Sequence, residues 1–179
     1  MPAIESSFKD HEKPSSKVGP LGCAVITLSD TRTDITDISG AVIKTVLIDA
    51  GHTVPLYRVL PDDREKIKSV IQDCLIDPHI AVIITNGGTG ISARDTTFDA
   101  VASLIEKRID GFGELFRNLS YQEIGPAAMM SRAVAGIAKN KILFALPGST
   151  NAVKLAMEKL VMPQASHIYW ELNKHLLGH

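Results

Sequence analysis

One stretch limits the folds open to this chain more than any other: Ile80-Ala81-Val82-Ile83-Ile84-Thr85-Asn86-Gly87-Gly88-Thr89-Gly90-Ile91-Ser92-Ala93-Arg94-Asp95-Thr96-Thr97-Phe98-Asp99. A short, apolar, β-branched run bounded by a turn signal reads as a buried strand. Three glycines within four residues then free the backbone to adopt positive φ and to bring bare N–H groups close to a ligand. A helical pattern follows, with Thr96 placed to cap it and Asp99 at its third position. A strand, a glycine loop and a helix in that order suit an anion, because the first amides of a helix lack internal partners. A capped strand–helix turn would use the same residues for structure alone; Arg94 and Asp95 beside the loop favour a phosphate site.

Two better-known phosphate loops fit poorly. A P-loop ends in Gly-Lys-Ser/Thr, and no lysine follows Gly90 directly. Gly88 to Ala93 matches the loose dinucleotide pattern, but that fingerprint belongs to the first strand–helix turn of its unit, with an acid about 20 residues on at a strand end. Here the loop follows the third predicted strand, and Asp110, at about that distance, lies in helical surroundings.

The 179 residues suit one domain with a substantial core, and 45% apolar content suits a globular chain. A formal charge of −1 offers no general attraction for nucleic acid or an anionic membrane, so a polyanionic substrate must be held by local amides, a few basic residues or a metal ion. Cys23 and Cys74 stand far apart in apolar patterns and read as buried free thiols of a reducing cytoplasm. The histidines show no zinc-ligand spacing. No apolar run approaches the ~20 residues of a membrane span, and no signal-peptide core opens the chain.

In chain order, residues 1–20 read as a polar, flexible or loosely docked tail, and 21–179 as a single domain. Strands are predicted over Leu21–Leu28, His52–Leu60, His79–Asn86, Ala133–Ala138 and Ile142–Leu146. The last two flank the turn-like Lys139-Asn140-Lys141 and suggest a hairpin, hence one antiparallel strand. Helices are predicted from Asp37 to about Ala50, from Asp62 to about Ile76, over Thr97–Lys107, over Leu115–Gln122, over Pro126–Met130, and from Ala152 to about Leu176 with a kink or break at Pro163. Asp37 or Ser39 reads as a helix cap, and Asp62 with Glu65 as a capping box. Tyr169 and Trp170 read as packing residues. Alternating strands and helices predict a three-layer α/β/α fold with a mainly parallel sheet. Ser29, Asp30, Asp62, the 87–95 loop and the 147–149 turn all follow strands, so a parallel sheet gathers them on the edge where such folds bind ligands. Two carboxylates, Asp62 and Asp95, near a phosphate loop make sense with Mg²⁺, which pairs a carboxylate or two with phosphate oxygens. The reaction class implied is metal-assisted phosphoryl or nucleotidyl transfer.

Gly87-Gly88-Thr89-Gly90 with Arg94-Asp95-Thr96, Gly111-Phe112-Gly113-Glu114, Ser131-Arg132-Ala133-Val134-Ala135-Gly136 and Leu146-Pro147-Gly148-Ser149 together resemble the MoaB/MogA family of molybdenum cofactor biosynthesis, over roughly Leu21 to Pro163, and the MoaB branch in particular. The resemblance implies a molybdopterin-binding fold and Mg-ATP-dependent adenylylation of the pterin's terminal phosphate with pyrophosphate release. By that likeness Asp62 and Asp95 are catalytic, Mg²⁺-associated acids, and Gly87, Gly88, Thr89 and Gly90, with Arg94, hold phosphate. Ser29, Asp30, Glu114, Ser120, Pro147, Gly148 and Ser149 are then the remaining substrate-binding candidates. It also implies a homotrimer or homohexamer that binds molybdopterin and ATP. Some MoaB-branch members lack the Arg-Asp pair and are not expected to adenylylate; this chain keeps it, which favours an active enzyme. Phe98 departs from the family's usual proline. A non-catalytic molybdopterin carrier and an unrelated nucleotide-binding module, with both acids as helix caps, stay open as alternatives.

Overall fold

The computed structural model describes residues 18–91 and 97–176. Six strands form one sheet: β1 (Gly22–Leu28), β2 (Thr53–Leu60), β3 (Val82–Asn86), β4 (Lys107–Arg108), β5 (Val134–Ala138) and β6 (Lys141–Leu146), in the order β2-β1-β3-β6-β5-β4. β1, β2, β3 and β6 are parallel, and β5 runs against both of its neighbours, so one strand is reversed. The reversal follows from Lys139 and Asn140, whose φ angles of 46° and 59° make the tight two-residue hairpin that right-twisted strands favour. The resemblance's three-layer fold is the one observed.

Strand periodicity sorts the core into two clusters. Val25, Ile84 and Phe144 point to one face, where α1 (Ile38–Asp49), α4 (Asp110–Ile124), α5 (Thr150–Ala156) and α6 (Met162–Asn173) cover them. Ala24, Ile26, Ile83 and Leu143 point to the other, under α2 (Arg64–Ile76) and α3 (Thr97–Ala102). Burial on both faces explains why β1, β3 and β6 read as unbroken apolar runs. β2 lies at the edge and tolerates Pro55; its pairing with β1 slips between Gly22 and Ala24, where Thr53 and Leu56 are the successive partners.

Several boundaries differ from the expectations. α3 stops at Ala102, not Lys107, because Glu106 donates its N–H to the Ile137 carbonyl and starts β4. α4 starts at Asp110, not Leu115, so Gly111-Phe112-Gly113-Glu114 forms its first turn, and Phe112 is buried against Phe144. Asp63, not Asp62, caps α2 by accepting from the N–H groups of Glu65 and Lys66. The long C-terminal helix contains a π turn over Met157–Val161, immediately before Pro163 in the first turn of α6. Proline lacks an N–H and crowds the carbonyl four residues back, and a widened turn relieves both. Tyr169 packs against the first cluster, as read; Trp170 stacks on His167. Cys23 and Cys74 are buried free thiols, also as read. The predicted tail lies outside the described residues except for its end, where Val18 packs on the first cluster. The cap expected at Thr96 lies outside them too.

Candidate functional site

The carboxyl ends of β1, β2, β3 and β6 share one edge, and most of the residues singled out in the sequence meet there. Ser29 donates its N–H to the Leu60 carbonyl at 2.9 Å, which holds the ends of β1 and β2 together. Asp30 Oδ1 accepts the Asp62 N–H at 3.0 Å, so these two acids sit side by side. Asp62 is half-buried and lies at the edge, next to Asp63, which caps α2.

β3 ends in Asn86, fully buried, and turns at Gly87 with φ of 97°. A side chain at Gly87 would be strained and would strike the Leu28 carbonyl. A Cβ at Gly148 would lie 3.0 Å from the Gly87 Cα. The two glycine turns therefore lie back to back: Gly87 rejects a side chain, and one at Gly148 would require Gly87 to yield by a few tenths of an ångström. Thr89 is buried, and Gly90 is exposed.

Beneath the turns runs a buried polar chain that sequence reasoning did not assemble. Asn86 donates to Thr27 Oγ1 at 2.7 Å, and the Asp37 carboxylate accepts from the Gly40 N–H at 3.0 Å and from the Tyr57 hydroxyl at 2.7 Å. The Ser39 hydroxyl lies 3.1 Å from Asp37 Oδ1 and 3.0 Å from Asn86 Oδ1, sharing its one proton between them. Arg32 lies 3.5 Å from the same carboxylate and donates to Ser39 Oγ and, at 3.0 Å, to the Gly148 carbonyl. Burial pushes the Asp37 carboxyl up, but hydrogen bonds from Thr27, Gly40, Tyr57 and Ser39 outweigh it and hold it below its ordinary 3.8. Asp37 thus caps α1, as read, and also anchors the β1, β3 and β6 ends through Arg32. The available signal was Arg32 and Asp37-Ile38-Ser39-Gly40 immediately after a parallel strand.

Arg132 is a second unassigned participant. Its Nε donates to the Thr89 carbonyl at 3.0 Å and its Nη2 to the Gly90 carbonyl at 2.8 Å. Its Nη1 lies 3.6 Å from Asp99 Oδ1, and its Cζ sits 4.5 Å over the Phe98 ring.

Beside the Gly148 turn opens a cleft of about 350 Å³ lined by Ser120, Glu123, Ser131, Pro147, Ser149 and Asn151 among others. Ser120 is buried in its wall, and Ser149 caps α5 by accepting the Ala152 N–H at 3.3 Å. Glu114 lies elsewhere. It lines a separate cleft of about 290 Å³ with Phe98, Arg108 and Arg117. Arg94 and Asp95 lie outside the described residues. Asp110, the acid of the dinucleotide alternative, opens a helix rather than ending a strand. The oxygen-only donors of Asp62 suit a hard cation such as Mg²⁺; Asp95, the other acid expected to hold it, lies outside the described residues.

Comparison with known proteins agrees with this geometry. Residues 24–167 match the family described as a probable molybdopterin binding domain. Molybdenum cofactor biosynthesis protein B of Bacillus anthracis is 45% identical over 169 residues, covering 94% of this chain and 99% of the relative. A crystal structure of a molybdenum cofactor biosynthesis protein B superposes with a TM-score of 0.84 at 46% identity, over 87% of this chain and 97% of that one. The structure of the tungsten cofactor synthesizing protein MoaB from Pyrococcus furiosus gives 0.77 at 34% identity, over 86% and 97%.

Proposed function

This chain belongs to the molybdopterin-binding domain family, and on that premise we propose that it serves molybdenum cofactor biosynthesis as a nucleotidyltransferase that adenylylates molybdopterin. The observation that carries the reading is the shared edge: two opposed glycine turns, at Gly87 and Gly148, with a cleft on one side and the adjacent acids Asp30 and Asp62 on the other.

In this reading the pterin enters the cleft between Ser120 and the Pro147-Gly148-Ser149 turn, and the ATP phosphates lie along Gly87 to Gly90 with Arg94. A terminal phosphate oxygen of molybdopterin attacks the α-phosphorus of ATP. The new P–O bond forms as the bond to the β-phosphate oxygen breaks, and pyrophosphate leaves. The protein's share is alignment and charge compensation, with no covalent protein nucleophile. Mg²⁺, bound with the nucleotide, would neutralise phosphate charge; Asp62 and Asp95 would hold it. Asp30 keeps the backbone that carries Asp62 in place. Glu114, in the neighbouring cleft, is a further candidate for substrate contact.

Single-turnover reaction of molybdopterin with α-labelled ATP and Mg²⁺ tests the proposal. Wild type should form adenylyl-molybdopterin, and Asp62→Ala or Asp95→Ala should lose about 100-fold or more in rate with the fold intact. Molybdopterin binding without ATP turnover would instead identify a carrier. Assembly as a trimer or hexamer belongs to the same proposal; exposed Leu115, Tyr121 and Met129 on and after α4 supply apolar surface for it, and sedimentation equilibrium gives the mass. No helix among the described residues is long and apolar enough to cross a membrane. A cytoplasmic site of action is part of the same proposal.

A further inference from the structure

We propose that Arg132 is a positioning residue that sets the direction of the glycine-loop amides, and through them the loop's grip on a nucleotide phosphate; this rests on the nucleotide reading above. In a trans peptide the C=O and N–H point opposite ways, and no peptide among the described residues is cis. The Thr89 carbonyl shares its peptide plane with the Gly90 N–H, and the Gly90 carbonyl with the Ile91 N–H. Arg132 draws both carbonyls toward its guanidinium, at 3.0 and 2.8 Å. The Gly90 and Ile91 N–H groups therefore point away from Arg132, on a stretch of chain that is exposed. Two consecutive amides turned the same way are what an anion requires.

The guanidinium can do this because it is itself held. Asp99 Oδ1 lies 3.6 Å from Nη1, and the Phe98 ring lies under the plane. Phe98 thus supplies the face on which Arg132 rests. A rigid, planar fork with donors at fixed spacing can hold two successive carbonyls; a lysine ammonium is a point charge and cannot. The alternative is that Arg132 attracts phosphate by charge alone, in which case lysine would serve equally.

The test compares wild type, Arg132→Lys and Arg132→Ala, ¹⁵N-labelled, by thermal melting and by titration with Mg-pyrophosphate and Mg-ATP. Binding to wild type should shift the Gly90 and Ile91 amide resonances. Arg132→Lys should melt near wild type, move those two resonances in the unliganded protein, and weaken pyrophosphate about tenfold or more. In turnover it should raise the KM for ATP more than it lowers kcat. Should Arg132→Ala not fold, Arg132→Lys decides alone. Wild-type affinity in Arg132→Lys, or unchanged Gly90 and Ile91 resonances without ligand, would overturn the proposal. Absence of pyrophosphate and ATP binding by wild type would sink the nucleotide reading instead, while the unliganded resonances still judge the clamp.

Discussion

Asp37 shows how one buried carboxylate can serve two tasks. It caps α1 and, through Arg32, ties the Gly148 carbonyl to the sheet. Its folded pKa lies below the ordinary value, so its charge contributes stability above about pH 4, and that contribution is lost as pH falls through the folded value. Asp37→Asn should therefore flatten the acid limb of the stability profile. At neutral pH it should cost about 1–3 kcal/mol, from a weakened cap and an Arg32 left with less compensation. Urea denaturation at a series of pH values reads both effects. At this scale the sequence was partly legible. Asp37 could be assigned as a cap from its place before a helical pattern, but its partners Tyr57 and Thr27, and Asn86 bonded to Thr27, come from three different strands, and only the folded sheet brings them together. The choice between Asp62 and Asp63 as cap of α2 failed for a local reason: adjacent acids offer two equivalent starts, and the chain path after Pro61 selects the second.

Among the elements, the glycine turn after β3 was the most readable. A strand end facing another backbone needs a glycine, and Gly87 meets both the Leu28 carbonyl and Gly148. Gly87→Ala should cost about 1–3 kcal/mol from its positive φ and the blocked space, and should weaken Mg-pyrophosphate binding at the same time. Calorimetric melting and titration of the same preparation would check the pair of effects. Elements that rest on non-local bonds were harder to read. β4 is two residues long and has no pattern of its own; it exists because Glu106 and Ile109 donate to β5. The start of α4 was hidden because Gly111 and Gly113 speak against a helix, yet burial of Phe112 and Phe116 overrides that propensity. Pro55 carries a signal for the slip in β2 that the strand reading over His52–Leu60 passed over, since proline inside a strand pattern marks an edge or a bulge.

Across the whole molecule, the three layers and the reversed β5 were legible because buried parallel strands and a tight hairpin leave unmistakable composition. Sequence could not say which cleft would hold which residue: Ser120 and Glu114 belong to one helix yet open onto different cavities. The closed core has a chemical corollary. Burial pushes the Cys23 thiol up to about 12 and, with help from Asp73 and Asp77, the Cys74 thiol up to about 11. Neither should react with a disulfide reagent in the native protein at pH 8, and both should react once urea unfolds it, as thiol titration will count. The π turn ahead of Pro163 has a different kind of consequence. It inserts one extra residue into an otherwise regular spiral, and everything beyond it is out of phase with what precedes it. Ile168, Tyr169 and Leu172 meet the core only in that offset frame. Deleting one residue between Met157 and Val161 would rewind the spiral by about 100° and swing that stripe toward solvent, so this stretch tolerates a change of letters far better than a change of count.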